Sequence, residues 1–85
     1  MMPGTTSREK AEGIVREALR GFAGEADISA LGQDEPLRTT LELDSIDFLS
    51  FVERLSAAVG GRIEESDYPQ LSTIRSCVDF LTGPR

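Results

Sequence analysis

Ser45 stands between acids in the stretch Leu43-Asp44-Ser45-Ile46-Asp47-Phe48, and its chemistry is bounded by what the chain lacks. There is no histidine, which removes a Ser-His-Asp triad, a Cys-His pair and any histidine-bound metal. With no base beside it, Ser45 is not a nucleophile in its own right. It suits instead the role of an acceptor on which another enzyme acts. A hydroxyl at a helix start is a good place to hold a phosphate, because free amides and the helix dipole stabilise the added charge. The same residues also read as an ordinary cap region, since helices commonly begin with Asp-Ser. Competing motifs fail. Ile46 occupies the third ligand position of a would-be calcium loop, and no glycine stands at the sixth. There is no Gly-x-Ser-x-Gly elbow and no phosphate-binding glycine loop.

A helix must position Ser45, and its limits are written in the residues. Asp44 is a good N-cap, and Asp47 falls three residues later, where a carboxylate reaches back to the free amides. Gly60-Gly61 ends the run, which predicts a helix from Ser45 to Val59 of about four turns. On a helical wheel Phe48, Phe51, Val52, Leu55 and Val59 share a ~100° sector, the predicted core face. Ile46 falls roughly 170° from its centre and Leu49 about 110° away, so both flank Ser45 outside the core stripe. They read either as isolated surface apolar residues or as a small apolar landing site beside a modified serine.

The whole chain sets further bounds. Its 85 residues make one domain, 1–85, large enough for a core without staples. A single cysteine allows no intramolecular disulfide, which fits a reducing compartment. The start Met-Met-Pro-Gly carries no basic, apolar signal, and no apolar run reaches transmembrane length. A cytoplasmic protein is expected. Of the net charge of −6, residues 25–67 hold eleven acids and three bases, net −8. That region contains Ser45. No nucleic acid and no membrane is expected as a partner; basic protein surfaces are, steered in by charge, unless the charge serves only solubility.

The remaining elements follow in order. Residues 1–5 read as a frayed tail. Thr6 with Glu9 makes a capping box, and Ala11, Ile14, Val15, Ala18, Leu19 and Phe22 predict a first helix over about residues 7–22. Residues 23–43 lack sustained periodicity and read as a long loop, with one helical turn at Asp27–Leu31 and breaks at Gly32 and Pro36. Ile28, Leu31, Leu37, Leu41 and Leu43 should pin it to the core. Ile63 resembles the apolar residue that packs back past a glycine cap. Glu64–Tyr68 predicts a short third helix stopped by Pro69. Thr73 caps a last helix with Ile74, Cys77, Val78 and Leu81 on one face and Phe80 at its edge, so Cys77 reads as a core thiol. Gly83-Pro84 ends that helix, and no strand pattern appears.

Together these residues resemble the acyl and peptidyl carrier proteins. The stretch Leu43-Asp44-Ser45-Ile46-Asp47-Phe48 is similar to their Leu-Asp-Ser-Leu motif. The likeness runs from about residue 8 to 82 and includes the Gly-Gly-Arg-Ile exit, Tyr68-Pro69 and the Thr-Ile-x-x-Cys-Val-x-x-Leu helix. The resemblance implies an all-α, four-helix bundle: three main helices, one short helix and a long first loop. It implies that a phosphopantetheinyl transferase (a holo-carrier-protein synthase), using coenzyme A and magnesium, attaches phosphopantetheine to Ser45. Acyl groups would then ride as thioesters, passed among acyl-loading and acyl-transferring enzymes by a monomer that is not itself an enzyme. Asp44 would match the acid that the transferase reads, and Ile46 the exposed apolar residue of the partner-binding helix. Leu49, Asp47 and Glu53 complete the expected partner surface. Fatty-acid carriers usually bear several acids along this helix, whereas here Ser50, Arg54, Ser56, Ala57 and Ala58 intervene. That resembles more the discrete carriers of specialised, polyketide-like pathways. An aminoacyl or peptidyl carrier loaded by an adenylating enzyme is the alternative within the fold. An acidic helical interaction module, with Ser45 unmodified or phosphorylated, is the alternative outside it.

Overall fold

The computed structural model describes residues 7–83. Its helices are α1 (Arg8–Ala18), α2 (Glu25–Ala30), α3 (Leu37–Thr40), α4 (Ser45–Val59), a 3₁₀ helix (Glu65–Leu71) and α5 (Ile74–Thr82). No strand occurs among the described residues; Arg20 and Ala23 form an isolated bridge. The all-α carrier-type bundle expected from the sequence is therefore present. The long α1, α4 and α5 make its body, with α1 packed against both of the others.

The core is assembled from the apolar stripe of each long helix. Ala11, Val15 and Ala18 of α1 meet Phe51, Val52 and Leu55 of α4, and Ile74, Cys77 and Val78 of α5, all buried. Two stripe expectations need correction. Val59 is exposed, because the last turn of α4 runs past the body: Ala57, Ala58, Gly60 and Gly61 are exposed with it. Phe80 is buried and Leu81 only half-buried, the reverse of the order expected from the wheel.

The helix ends show which local signals won. Ser7 caps α1, its Oγ accepting from the Lys10 amide at 3.1 Å. The expected caps at Thr6, the tail at 1–5 and the stop at Pro84 lie outside the described residues. The first helix ends at Ala18 rather than at residue 22, and Gly21 takes a left-handed turn (φ 94°) that no helix continues through. Arg54 of α4 closes that turn: its guanidinium donates to the Arg20 carbonyl and lies 4.5 Å from the Phe22 ring centroid. Gly60 ends α4 in the left-handed region at φ 68°, as expected.

The stretch from 23 to 43 is more ordered than its sequence suggests. It contains α2 and α3, and Pro36 does not break the chain there but serves as the N-cap of α3. A proline in extended conformation just before a helix wastes no amide, since the first amides of a helix lack partners anyway. Ile28, Leu31, Leu37 and Leu43 are buried and Leu41 half-buried, as the pinning role requires. Polar ties do the rest. Arg16 binds Glu12 and also donates to the carbonyls of Ile28 and Leu31, the latter at 3.1 Å. The Leu37 amide donates to the Ser72 carbonyl at 2.8 Å, and the Arg75 amide to Gln33 at 2.9 Å. Arg75 also holds Asp34 with two hydrogen bonds, which keep that carboxyl below its usual range. Pro69, expected to stop the third helix, instead lies inside the 3₁₀ helix. Its fixed φ suits 3₁₀ geometry.

One backbone position carries strain. Glu42 has φ 56°, a left-handed conformation uncommon outside glycine and asparagine. It ends α3 in a Schellman arrangement: Leu43 N–H donates to the Arg38 carbonyl (2.8 Å) and Glu42 N–H to that of Thr39 (3.4 Å). Replacing Glu42 with glycine should relieve the side-chain clash, at some cost in unfolded-state entropy. We expect Glu42→Gly to raise stability by up to about 1 kcal/mol, measured by urea unfolding. A Glu42→Val variant should lower it.

Candidate functional site

At the start of α4 the first backbone amides need partners from outside the helix. Asp44 supplies one: its Oδ1 accepts from the Asp47 amide at 2.8 Å, while Asp47 Oδ2 accepts from the Asp44 amide at 3.4 Å. This is a reciprocal capping box, as the spacing predicts. Both carboxylates lie at the positive end of a 15-residue helix. The consequence falls on the next residue. Because Asp44 performs the capping, the Ser45 hydroxyl is not consumed by backbone and stays exposed.

The surroundings of Ser45 are mixed. Ile46 is 73% exposed and Leu49 46%, so both leave the core as the wheel predicts. Glu53 is exposed further along α4. A groove of about 420 Å³ opens at Ser45, its apolar lining given by Pro36, Phe48, Leu49, Tyr68 and Pro69 and its polar lining by Arg38, Ser45 and Ser72. Tyr68 meets Phe48 edge-on, with centroids 5.8 Å apart and planes at 83°, so the 3₁₀ helix forms the far wall. The structure thus brings Asp44, Ser45, Asp47 and Leu49 together with groups that sequence reasoning left unassigned. Arg38 is the main one. Its Nη2 lies 3.4 Å from Ser45 Oγ and its guanidinium carbon 5.4 Å from the Phe48 centroid. One signal was available: Arg38 is the sole base between residues 21 and 53, in a run otherwise rich in acids.

A family model described as a phosphopantetheine attachment site matches residues 14–81, most of the chain. The chain belongs to the phosphopantetheine-binding carrier family. Comparison with curated proteins and with solved structures finds no match. Carriers of this family hold phosphopantetheine covalently and carry groups on it. The site described above fits such a group. It offers an exposed hydroxyl, the positive end of a helix, a guanidinium for a phosphate and an apolar groove for an arm. Among the described residues of this carrier, no helix is long and apolar enough to cross a membrane.

The chain's own thiol is separated from this chemistry. Cys77 is buried on α5, and burial pushes its pKa from 9.0 up to about 12. It is therefore a neutral, inert core group at physiological pH. Its contribution to stability is complete below 9.0 and is lost as the pH rises toward about 12, because the unfolded thiol ionises first.

The capping role of Asp44 makes a separable prediction. Asp44→Ala should cost roughly 0.5–2 kcal/mol, because the Asp47 amide loses its acceptor. Asp44→Asn should cost little, since asparagine caps as well without the charge. Denaturant unfolding of both variants checks the difference.

Proposed function

We propose that this protein is an acyl carrier whose phosphopantetheine arm is attached to the Ser45 hydroxyl. The observation that carries the reading is the division of labour at the start of α4: Asp44 caps the helix, and the adjacent hydroxyl is left exposed. In the loading step Ser45 Oγ gives up its proton and bonds to phosphorus as the pyrophosphate bridge of coenzyme A breaks and the nucleotide portion leaves. The base and the magnesium for that step belong to the phosphopantetheinyl transferase. When bound, the arm supplies a terminal thiol for thioester chemistry. The chain itself presents that arm and catalyses nothing. Asp44 is the acid the transferase reads, and Ile46, Leu49, Asp47 and Glu53 form the surface that partner enzymes grip.

The charge on α4 favours a specialised pathway over a housekeeping one. Beyond Asp47 the helix exposes one acid, Glu53, and its base, Arg54, is occupied with the Arg20 carbonyl and the Phe22 ring. A helix so sparsely acidic gives weak, fast binding through a small apolar contact and few charges.

Loading is tested by incubation with coenzyme A, magnesium and a promiscuous transferase. Intact mass should show one phosphopantetheine per chain, and none on Ser45→Ala. Thiol titration gives a second reading. The unloaded native protein should titrate close to zero, because Cys77 is buried, and the loaded protein one thiol. Equal modification of the alanine variant would move the site elsewhere.

Partner contact is tested on the loaded protein. Ile46→Ala and Glu53→Lys alter exposed side chains, so each should shift stability by no more than about 0.5 kcal/mol. Both should slow transfer to a partner enzyme. Glu53→Lys should act on the association rate, with an effect that shrinks as salt screens the charge. Ile46→Ala should shorten the complex and depend little on salt. Stopped-flow binding at low and high salt separates the two; unchanged transfer in both would place recognition on another face.

A further inference from the structure

Arg8, Arg16, Arg20, Arg62 and Arg75 are each in an ion pair with a carboxylate. Two described arginines, Arg38 and Arg54, form no ion pair among the described residues; Arg54 is taken up by the Arg20 carbonyl and the Phe22 ring, whereas Arg38 lies beside Ser45. This is so although Glu35, Glu42, Asp44 and Asp47 all lie within nine positions of Arg38. Its guanidinium instead rests by the Phe48 ring, 5.4 Å from the centroid, and reaches Ser45 Oγ at 3.4 Å. An aromatic face holds a cation in place without neutralising it. The backbone of Arg38 is fixed as well: its carbonyl accepts from the Leu43 amide at 2.8 Å, across the turn that leads to Ser45.

We propose that Arg38 anchors the phosphodiester by which the arm joins Ser45. This rests on the assignment of the arm to Ser45. A phosphodiester adds one fixed negative charge beside the carboxylates of Asp44 and Asp47, and like charges so close repel. A guanidinium near Ser45 Oγ offsets that repulsion and supplies charge-assisted hydrogen bonds to phosphate oxygens in a forked geometry that lysine does not reproduce. The same contact restricts the root of the arm, which is then held beside Arg38 rather than swinging freely from Ser45.

The test compares loaded wild type with loaded Arg38→Ala, Arg38→Gln and Arg38→Lys. Glutamine keeps hydrogen-bond donors without the charge, and lysine keeps the charge without the fork. Peptide mass mapping first locates the arm in each protein. Phosphorus NMR then reads the phosphodiester resonance, and proton–nitrogen spectra read the Arg38 Nε–H signal before and after loading. The expected result is a wild-type phosphorus resonance displaced from those of the alanine and glutamine variants, with lysine between them. The displacement should shrink as sodium chloride is raised. The Arg38 Nε–H signal should move on loading. Coincident phosphorus resonances in all four proteins, with the arm on Ser45, would overturn the role of Arg38 and leave the attachment site standing. An arm found on another residue would overturn both.

Discussion

The free amides at the start of α4 set the terms for the rest of the structure. A helix that begins without partners for those groups is destabilised, and one that uses its own serine as the cap would spend the hydroxyl on backbone. The Asp44–Asp47 box resolves both demands. It closes the helix start with carboxylates that the dipole favours, and it leaves Ser45 exposed one residue on. Phe48, Phe51, Val52 and Leu55 then bury the adjoining face of the same helix. The exposed serine is thus held on a helix anchored in the core.

The chain that delivers Asp44 to this position is held by long-range ties. Arg16 binds the carbonyls of Ile28 and Leu31, Leu37 bonds to Ser72, and Arg75 bonds to both Gln33 and Asp34. These contacts fasten the 23–43 segment to α1 and α5, so α3 and its turn stop at a fixed distance from α4. The strained Glu42 is the last step of that path. Its left-handed backbone turns the chain from α3 into the extended Asp44. Strain of this kind persists where surrounding contacts over-determine it, and buried Leu37 and Leu43 on either side supply them.

Much of this was legible in the residues, and the reasons for the rest are physical. The bounds of α4 and its capping box followed from local spacing, because caps and glycine stops act within one turn. The exposure of Ile46 followed from period alone. α3 and the full extent of α2 did not, since segments of four and six residues are too short to show a helical period and are stabilised by tertiary contacts. Pro36 and Pro69 looked like breakers, yet one starts a helix and the other sits within a 3₁₀ turn. Val59 carried the right period but lies on the last turn of α4, where the core no longer covers it fully. The Arg38–Phe48 contact and the Phe48–Tyr68 wall of the groove join different elements, which local spacing does not reveal; only the isolation of Arg38 among acids marked it out.

The central claim is that capping by Asp44 reserves the Ser45 hydroxyl, and no other, for the arm. Trypsin cleaves after Arg38 and Arg54, which isolates residues 39–54, a peptide holding Thr39, Thr40, Ser45 and Ser50. Fragmentation of that peptide from the loaded protein tests the claim most directly. The added mass should begin at Ser45 in the fragment series and be absent from Thr39, Thr40 and Ser50. An added mass on Ser50, or on any peptide outside residues 39–54, would contradict it.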